Sequence, residues 1–378
     1  MTITAPQAPP AAPATRKWTI LQYSAADNNL QGFMVEDVDE MERVGSDQDT
    51  NLVVQLDTGR RMQRLLLQQN SQPGVNSPAV EEAGSVNMSD PKTLADFIEW
   101  GIKNYPSEHV MLVLSDHGDG WKGALQDVSH GGWMSLSEIK EGLAEAQRRT
   151  GKKIDILGFD ACNMAATEVA YQLRDQAAYL VASEKTEGGA GWSYDSWLAT
   201  GGLQAFKQQV SSRVDSTPAE LASSIVRGAA AYNDVIPTLS ASDLGKMGQV
   251  KDALEEFSKA ILATDTSVWR LKRVVWGTQS FEGHKDAYHL AERVANHSKI
   301  QDDRLKNAAR GLMQAIDDAV IEEQHHRSQD GAHGLTIEAP IFFAPGSDYK
   351  SLELSQDTHW DEASKQLTRW WTVPRPVD

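Results

Sequence analysis

A single cysteine, Cys162, occurs in 378 residues, so no intramolecular disulfide framework exists and a reducing compartment fits. No apolar run approaches the roughly 18 residues of a membrane span, and the N-terminus lacks the basic and apolar regions of a secretion signal. A cytoplasmic protein with no membrane partner is therefore expected. Cations are also scarce: 36 Lys and Arg face 53 Asp and Glu, for a formal charge of −17. That balance argues against nucleic acid, whose binding depends on neutralising phosphates. It would attract basic peptides or calcium, although an acid excess also serves solubility alone. Zinc-type His-Glu-x-x-His and Cys-x-x-Cys patterns are absent, as are a Gly-x-x-x-x-Gly-Lys phosphate loop and a twelve-residue calcium loop. His284 and His289 are five apart, on different helical faces. No metal site and no required cofactor is expected, with calcium left open, and a monomer is the expected state.

What is present is an alternation of strands and helices. Met1 to about Lys17, rich in Pro, Ala and Thr, reads as a disordered tail. Order is expected from Trp18, with residues 18–200 forming an α/β core of mostly parallel strands covered by helices on both faces. Strands are expected at Trp18–Tyr23, Asn51–Asp57, Val110–Ser115, Ile154–Phe159 and Ala178–Ser183, with an antiparallel side ribbon from Arg64–Gln68 and the segment near Ser85–Met88. A helical stripe of Leu30, Phe33, Met34, Val38 and Met41 leaves Glu36, Asp37, Asp39, Glu40 and Glu42 on an expected solvated face. Residues 201–378 read as helix-rich, with helices near 203–214, 218–232, 243–263, 287–297 and 301–324. Strands near Thr238–Ala241 and Gly334–Ile341 would extend the same sheet. No internal repeat and no Gly, Ser or Pro linker divides this part from the core. A closing helix, Trp360–Thr372, carries Trp370 and Trp371 as core anchors.

Two strand ends carry the chemistry. The run Ile154–Phe159 leads through Asp160 to Cys162, and a helix is expected to begin at Asn163, where its N-terminus would favour the thiolate. The run Val110–Leu114 leads likewise to His117. Adjacent parallel strands ending in these residues would set an imidazole beside a thiol, the pairing that activates a cysteine nucleophile. By itself the cysteine strand is equally compatible with a small buried hydrophobe. Asp160 lies two positions before Cys162 and so shares its strand face. Asp27 closes the first strand at the same edge. Two glycine-rich loops open there: Gly118–Gly132, and Glu184–Trp192, whose bounding Glu184 and Trp192 are candidate substrate contacts.

Ser115-Asp116-His117-Gly118 followed by Asp160-Ala161-Cys162-Asn163-Met164 resembles the His-Gly and Asp-Ala-Cys motifs of the clostripain family of cysteine peptidases, in the caspase-like clan. Ala25-Ala26-Asp27-Asn28-Asn29-Leu30 is similar to its opening motif, and Gly334-Leu335-Thr336-Ile337 to its late strand. The resemblance spans from about Trp18 to Trp370-Trp371. It implies a caspase-like fold and an endopeptidase with a Cys162–His117 dyad, in which the N–H groups of Gly118 and Cys162 hold the oxyanion. It further implies that Asp160 selects protein or peptide substrates with Arg or Lys before the cleaved bond, while Asp27, Glu184 and Trp192 are further candidate contacts by their position at the same edge. Any self-cleavage would fall after Lys122, the one basic residue of the loop 118–132, with activity without self-cleavage as the alternative. A transpeptidase or ligase using the same acyl-enzyme, and a silent interaction module, are the alternatives.

Overall fold

The computed structural model describes residues 15–198, 217–230, 236–339 and 346–368. The expected helix at 203–214, residues 1–14 of the tail and the Trp370-Trp371 pair lie outside the described residues. Order begins earlier than expected, because Arg16 and Lys17 already belong to the first strand, β1 (Arg16–Ala25).

A nine-stranded sheet organises the molecule, in the order β13-β10-β9-β8-β5-β1-β2-β3-β4. Its elements besides β1 are β2 (Thr50–Asp57), β3 (Arg61–Leu66), β4 (Ala79–Gly84), β5 (Ser107–Ser115), β8 (Ile154–Asp160), β9 (Ala177–Ala182), β10 (Thr238–Asp243) and β13 (Val320–His325), while β6 (Ala124–Asp127) and β7 (Gly132–Met134) pair with each other apart from it. The five central strands, β9-β8-β5-β1-β2, are parallel, and antiparallel strands close both ends. Both faces are covered, which is why the central strands read as unbroken apolar runs rather than alternations. Leu21, Leu112, Leu157 and Phe159 face α2 (Pro91–Asn104) and α3 (Leu136–Thr150) in one core. Ile20, Met111, Val113 and Ile156 face the opposite way, into a second core with α1 (Gln31–Val44) and the helix Pro218–Ala230. Local signals set the helix starts. Asp90 caps α2 ahead of Pro91 at its first turn, and Ser135 with Glu138 forms a capping box on α3.

Several expectations are corrected. The side ribbon pairs β3 with β4, so its second strand ends at Gly84 rather than lying near Ser85–Met88. Helix 301–324 stops at Ala319, and Val320–His325 instead pairs antiparallel with β10; the open sheet edge supplies bonds to which β-branched Val320 and Ile321 are suited. The late strand, β14 (Thr336–Ile337), joins a separate three-stranded sheet with β11 (Ser280–Phe281) and β12 (His284–Asp286). The helix Val268–Gly277 was not anticipated. On α1 the acid face is only partly solvated: Asp37 and Glu42 are buried, while Phe33 is 42% exposed. Glu42 has local bonds to explain its burial, accepting from the N–H groups of Asn76 and Ser77 at 2.9 and 2.7 Å.

Candidate active site

Strand register brings the histidine and the cysteine together. In the β5–β8 ladder Ser115 pairs with Asp160, so His117 and Cys162 each stand two residues beyond a matched pair at the carboxyl edge, where open α/β sheets form sites. Asp116 N–H donates to Asp160 O at 3.2 Å, extending the ladder one step further. Both side chains line one cavity of about 180 Å³, with Asp160, Asp37, Glu187 and Gly191 among its other walls. Gly118 is needed for this approach. A Cβ there would stand 2.5 Å from the Cys162 carbonyl oxygen and 3.0 Å from the Met164 side chain. The contact that demands glycine is thus within the site's own backbone rather than with a substrate carbonyl. The bonds Asp119 N–H to Gly123 O and Leu125 N–H to His117 O flank Gly118, leaving its own N–H out of the hairpin pairing.

The helix expected from Asn163 does not begin there. Residues 161–166 form an irregular turn with Asn163 at φ +63°, and α4 spans only Thr167–Gln172. The turn is held from outside: Ala165 N–H donates to Ser183 O at 2.8 Å, and Thr336 N–H to Ala165 O at 2.9 Å. Cys162 therefore lacks the helix terminus that would lower its pKa. Burial pushes the thiol up, only partly opposed by the Glu187 carbonyl, which accepts from Sγ at 3.8 Å. Burial also lowers the His117 pKa. Both shifts favour a neutral thiol and a neutral imidazole at rest.

The histidine is oriented by a residue that sequence reasoning left without a role. Asn29 Oδ1 lies 2.8 Å from His117 Nε2. A carbonyl oxygen only accepts, so the proton sits on Nε2 and the Nδ1 lone pair stays available. Asn28 anchors that loop, donating to Ala25 O, Asp116 Oδ1 and Gln126 O at 3.0, 2.7 and 3.1 Å.

Of the expected substrate contacts, Asp160 is in the cavity. It accepts from Tyr194 Oη at 2.8 Å and from the Trp192 backbone N–H. Gly191, at φ +55°, lies over it so closely that a Cβ would come within 2.8 Å of the carboxylate. Asp27, Glu184 and Trp192 are turned elsewhere. Asp27 accepts from Ser129 N–H at 2.8 Å and packs on Gly59. Glu184 is fully buried, accepting from Gly334 N–H at 3.0 Å and lying beside Asp286, so it ties the late strand to the sheet. Trp192 is buried against Gly158 in the second core. A residue of the same loop, Glu187, takes their place in the cavity wall.

Lys122 ends a single 3₁₀ turn, Gly120–Lys122. Gly123 N–H donates to Gly120 O at 3.1 Å, and the Trp133 indole N–H donates to the Lys122 carbonyl at 3.0 Å. Self-cleavage after Lys122 thus requires this turn to open before the chain can extend into a protease cleft. For metals, the described residues offer one group, Asp27, Asp127 and His130. Calcium takes six to eight oxygen ligands, whereas this group supplies two carboxylates and an imidazole. Its members are already occupied: Asp127 accepts from Met88 N–H and pairs with His130 Nδ1, at 2.8 and 2.9 Å. It does not fit calcium.

Comparison with known proteins gives the family and the fold. Clostripain from Hathewaya histolytica is 29% identical over 224 residues, a match covering 48% of this chain and 41% of that protein. Solved structures share the fold: a secreted C11 cysteine protease from Bacteroides thetaiotaomicron bound to an irreversible peptide inhibitor has a TM-score of 0.69 at 20% identity, over 92% of this chain and 99% of that one. An inactive zymogen C11 protease from Parabacteroides distasonis gives 0.66 at 21% identity, with the same coverage. The clostripain family model matches residues 22–370, nearly the whole sheet and both strand ends that carry His117 and Cys162, and the chain belongs to the clostripain family of cysteine peptidases.

Proposed function

We propose that this chain is a cysteine endopeptidase that cleaves after Arg or Lys, with Cys162 as nucleophile and His117 as its proton partner. The observation that carries the reading is the shared cavity, in which the thiol and the imidazole stand beside a wall of carboxylates with no Lys or Arg among its lining residues. A substrate cation in such a pocket meets opposite charge without competition.

The reaction follows from the groups present. As the scissile carbonyl approaches, the Cys162 thiol passes its proton to His117 Nδ1, and the sulfur attacks the carbonyl carbon. The N–H groups of Gly118 and Cys162 receive the developing oxyanion. Collapse breaks the C–N bond; the imidazolium returns the proton to the leaving amine, and a thioester remains. His117 then takes a proton from water, which attacks the thioester and releases the acid and the thiol. Throughout, Asn29 keeps the ring from rotating and stabilises the imidazolium by accepting from Nε2.

Profiling cleavage of a peptide library tests this. The expected result is cutting confined to bonds preceded by Arg or Lys; cutting after Asp, Asn or apolar residues contradicts it.

A further inference from the structure

Within that reading of the pocket, Asp160 has few acceptor sites to spare. Tyr194 Oη and the Trp192 N–H already donate to it, and it lies close enough to Glu187 for the two carboxyls to share a proton. Asp37, on α1, is in the opposite condition. It is buried at 4% exposure, lines the same cavity, and meets no hydrogen-bond donor or cation among the described residues. The charges acting on it are all acidic, those of Asp160, Glu40 and Glu36. A buried carboxylate with neither bond nor counter-ion is costly to keep, and an isolated wall of an enzyme gains nothing from it. We infer that Asp37 is a specificity-determining residue, the carboxylate that pairs with the guanidinium or ammonium group of the substrate side chain, opposite Asp160.

The local structure supports a pairing role. α1 is fastened to the far wall of the pocket, since Tyr194 N–H donates to Glu40 at 2.9 Å and Arg43 pairs with Asp195 at 2.9 Å. These bonds fix α1, and Asp37 with it, to the segment whose Tyr194 also donates to Asp160. A guanidinium carries five N–H donors in a planar fork, enough to reach carboxylates on both walls. Burial and the neighbouring acids push Asp37 and Glu187 well above the usual carboxylate range, as expected for a site tuned to receive a positive charge that has not yet arrived.

The test compares two substrates that differ only in charge before the cleaved bond, arginine and its neutral isostere citrulline, on wild type, Asp37→Asn and Asp160→Asn. Asparagine keeps the shape of Asp37, and the rate of Cys162 alkylation by iodoacetamide, expected unchanged, reports that the site stays assembled. Wild type is expected to prefer arginine strongly, and Asp37→Asn to lower the arginine-to-citrulline ratio of kcat/KM by about 10- to 100-fold, the loss on unpairing a buried cation. An intact ratio in Asp37→Asn, with alkylation unchanged, overturns the assignment of Asp37 and leaves the pocket reading standing. Equal use of both substrates by wild type overturns the pocket reading and this inference with it.

Discussion

Cys162→Ala and His117→Ala should each lower kcat/KM on a basic peptide by at least about 10⁴-fold, while the double variant is little worse than either single one, because the two residues act as a unit. Neither change should unfold the chain. Cys162 is only part-buried, and among the described residues its thiol bonds only Glu187 O, at 3.8 Å, while the His117 ring bonds one side chain, that of Asn29. Unfolding midpoints close to that of wild type would separate lost chemistry from lost structure. The pH profile follows from the same environment. His117 must be neutral to accept the thiol proton, and burial lowers its pKa, so kcat, measured with the substrate cation already paired to the pocket acids, should persist below the ordinary histidine value of about 6.5 and fall as pH drops through the depressed pKa. An acid limb centred above that value would contradict the assignment. Asn29→Ala, by freeing the ring, should lower kcat more than it raises KM.

Asp160→Ala should reduce cleavage after Arg or Lys by roughly one to three orders of magnitude. The variant loses more than a charge. Tyr194 Oη would lose its acceptor, and Glu187 the carboxyl that lies beside it. Asp160→Asn keeps an acceptor for Tyr194 and should recover part of the stability without recovering preference for basic substrates. Steady-state kinetics with Arg, Lys and Leu peptides on both variants measure this. A basic preference that survives in both would place specificity elsewhere.

That His117 and Cys162 meet was legible because each follows the end of a buried apolar strand, and the parallel pairing of β5 with β8 then needs only one register to oppose them. Asp160 was legible through the two-residue period of a strand. The rest depended on tertiary choices with no local signature. Asp37 lies three residues after Met34 and beside Val38, squarely on the buried stripe of α1, but hydrophobic periodicity assigns an acid there to solvent. Glu184, Glu187 and Trp192 belong to one glycine-rich loop, and nothing in its composition says which side chains turn inward. Asn29 sits in a motif whose shape, set by the three bonds of Asn28, decides its role. The turn at 161–166 displaced the expected helix because its bonds come from Ser183, just past the end of β9, and from Thr336 on a strand distant in sequence.

The central claim, that Cys162 is the nucleophile of a pocket selective for cations, meets its most direct test in affinity labelling. Chloromethyl ketones carrying Arg or Leu before the reactive group are added to the purified protein, and the adduct is located by peptide mass spectrometry. The account predicts one adduct, on Cys162, formed by the Arg reagent at least about 100-fold faster than by the Leu reagent and abolished in His117→Ala. Labelling at another residue, or at Cys162 with equal rates for the two reagents, would contradict it.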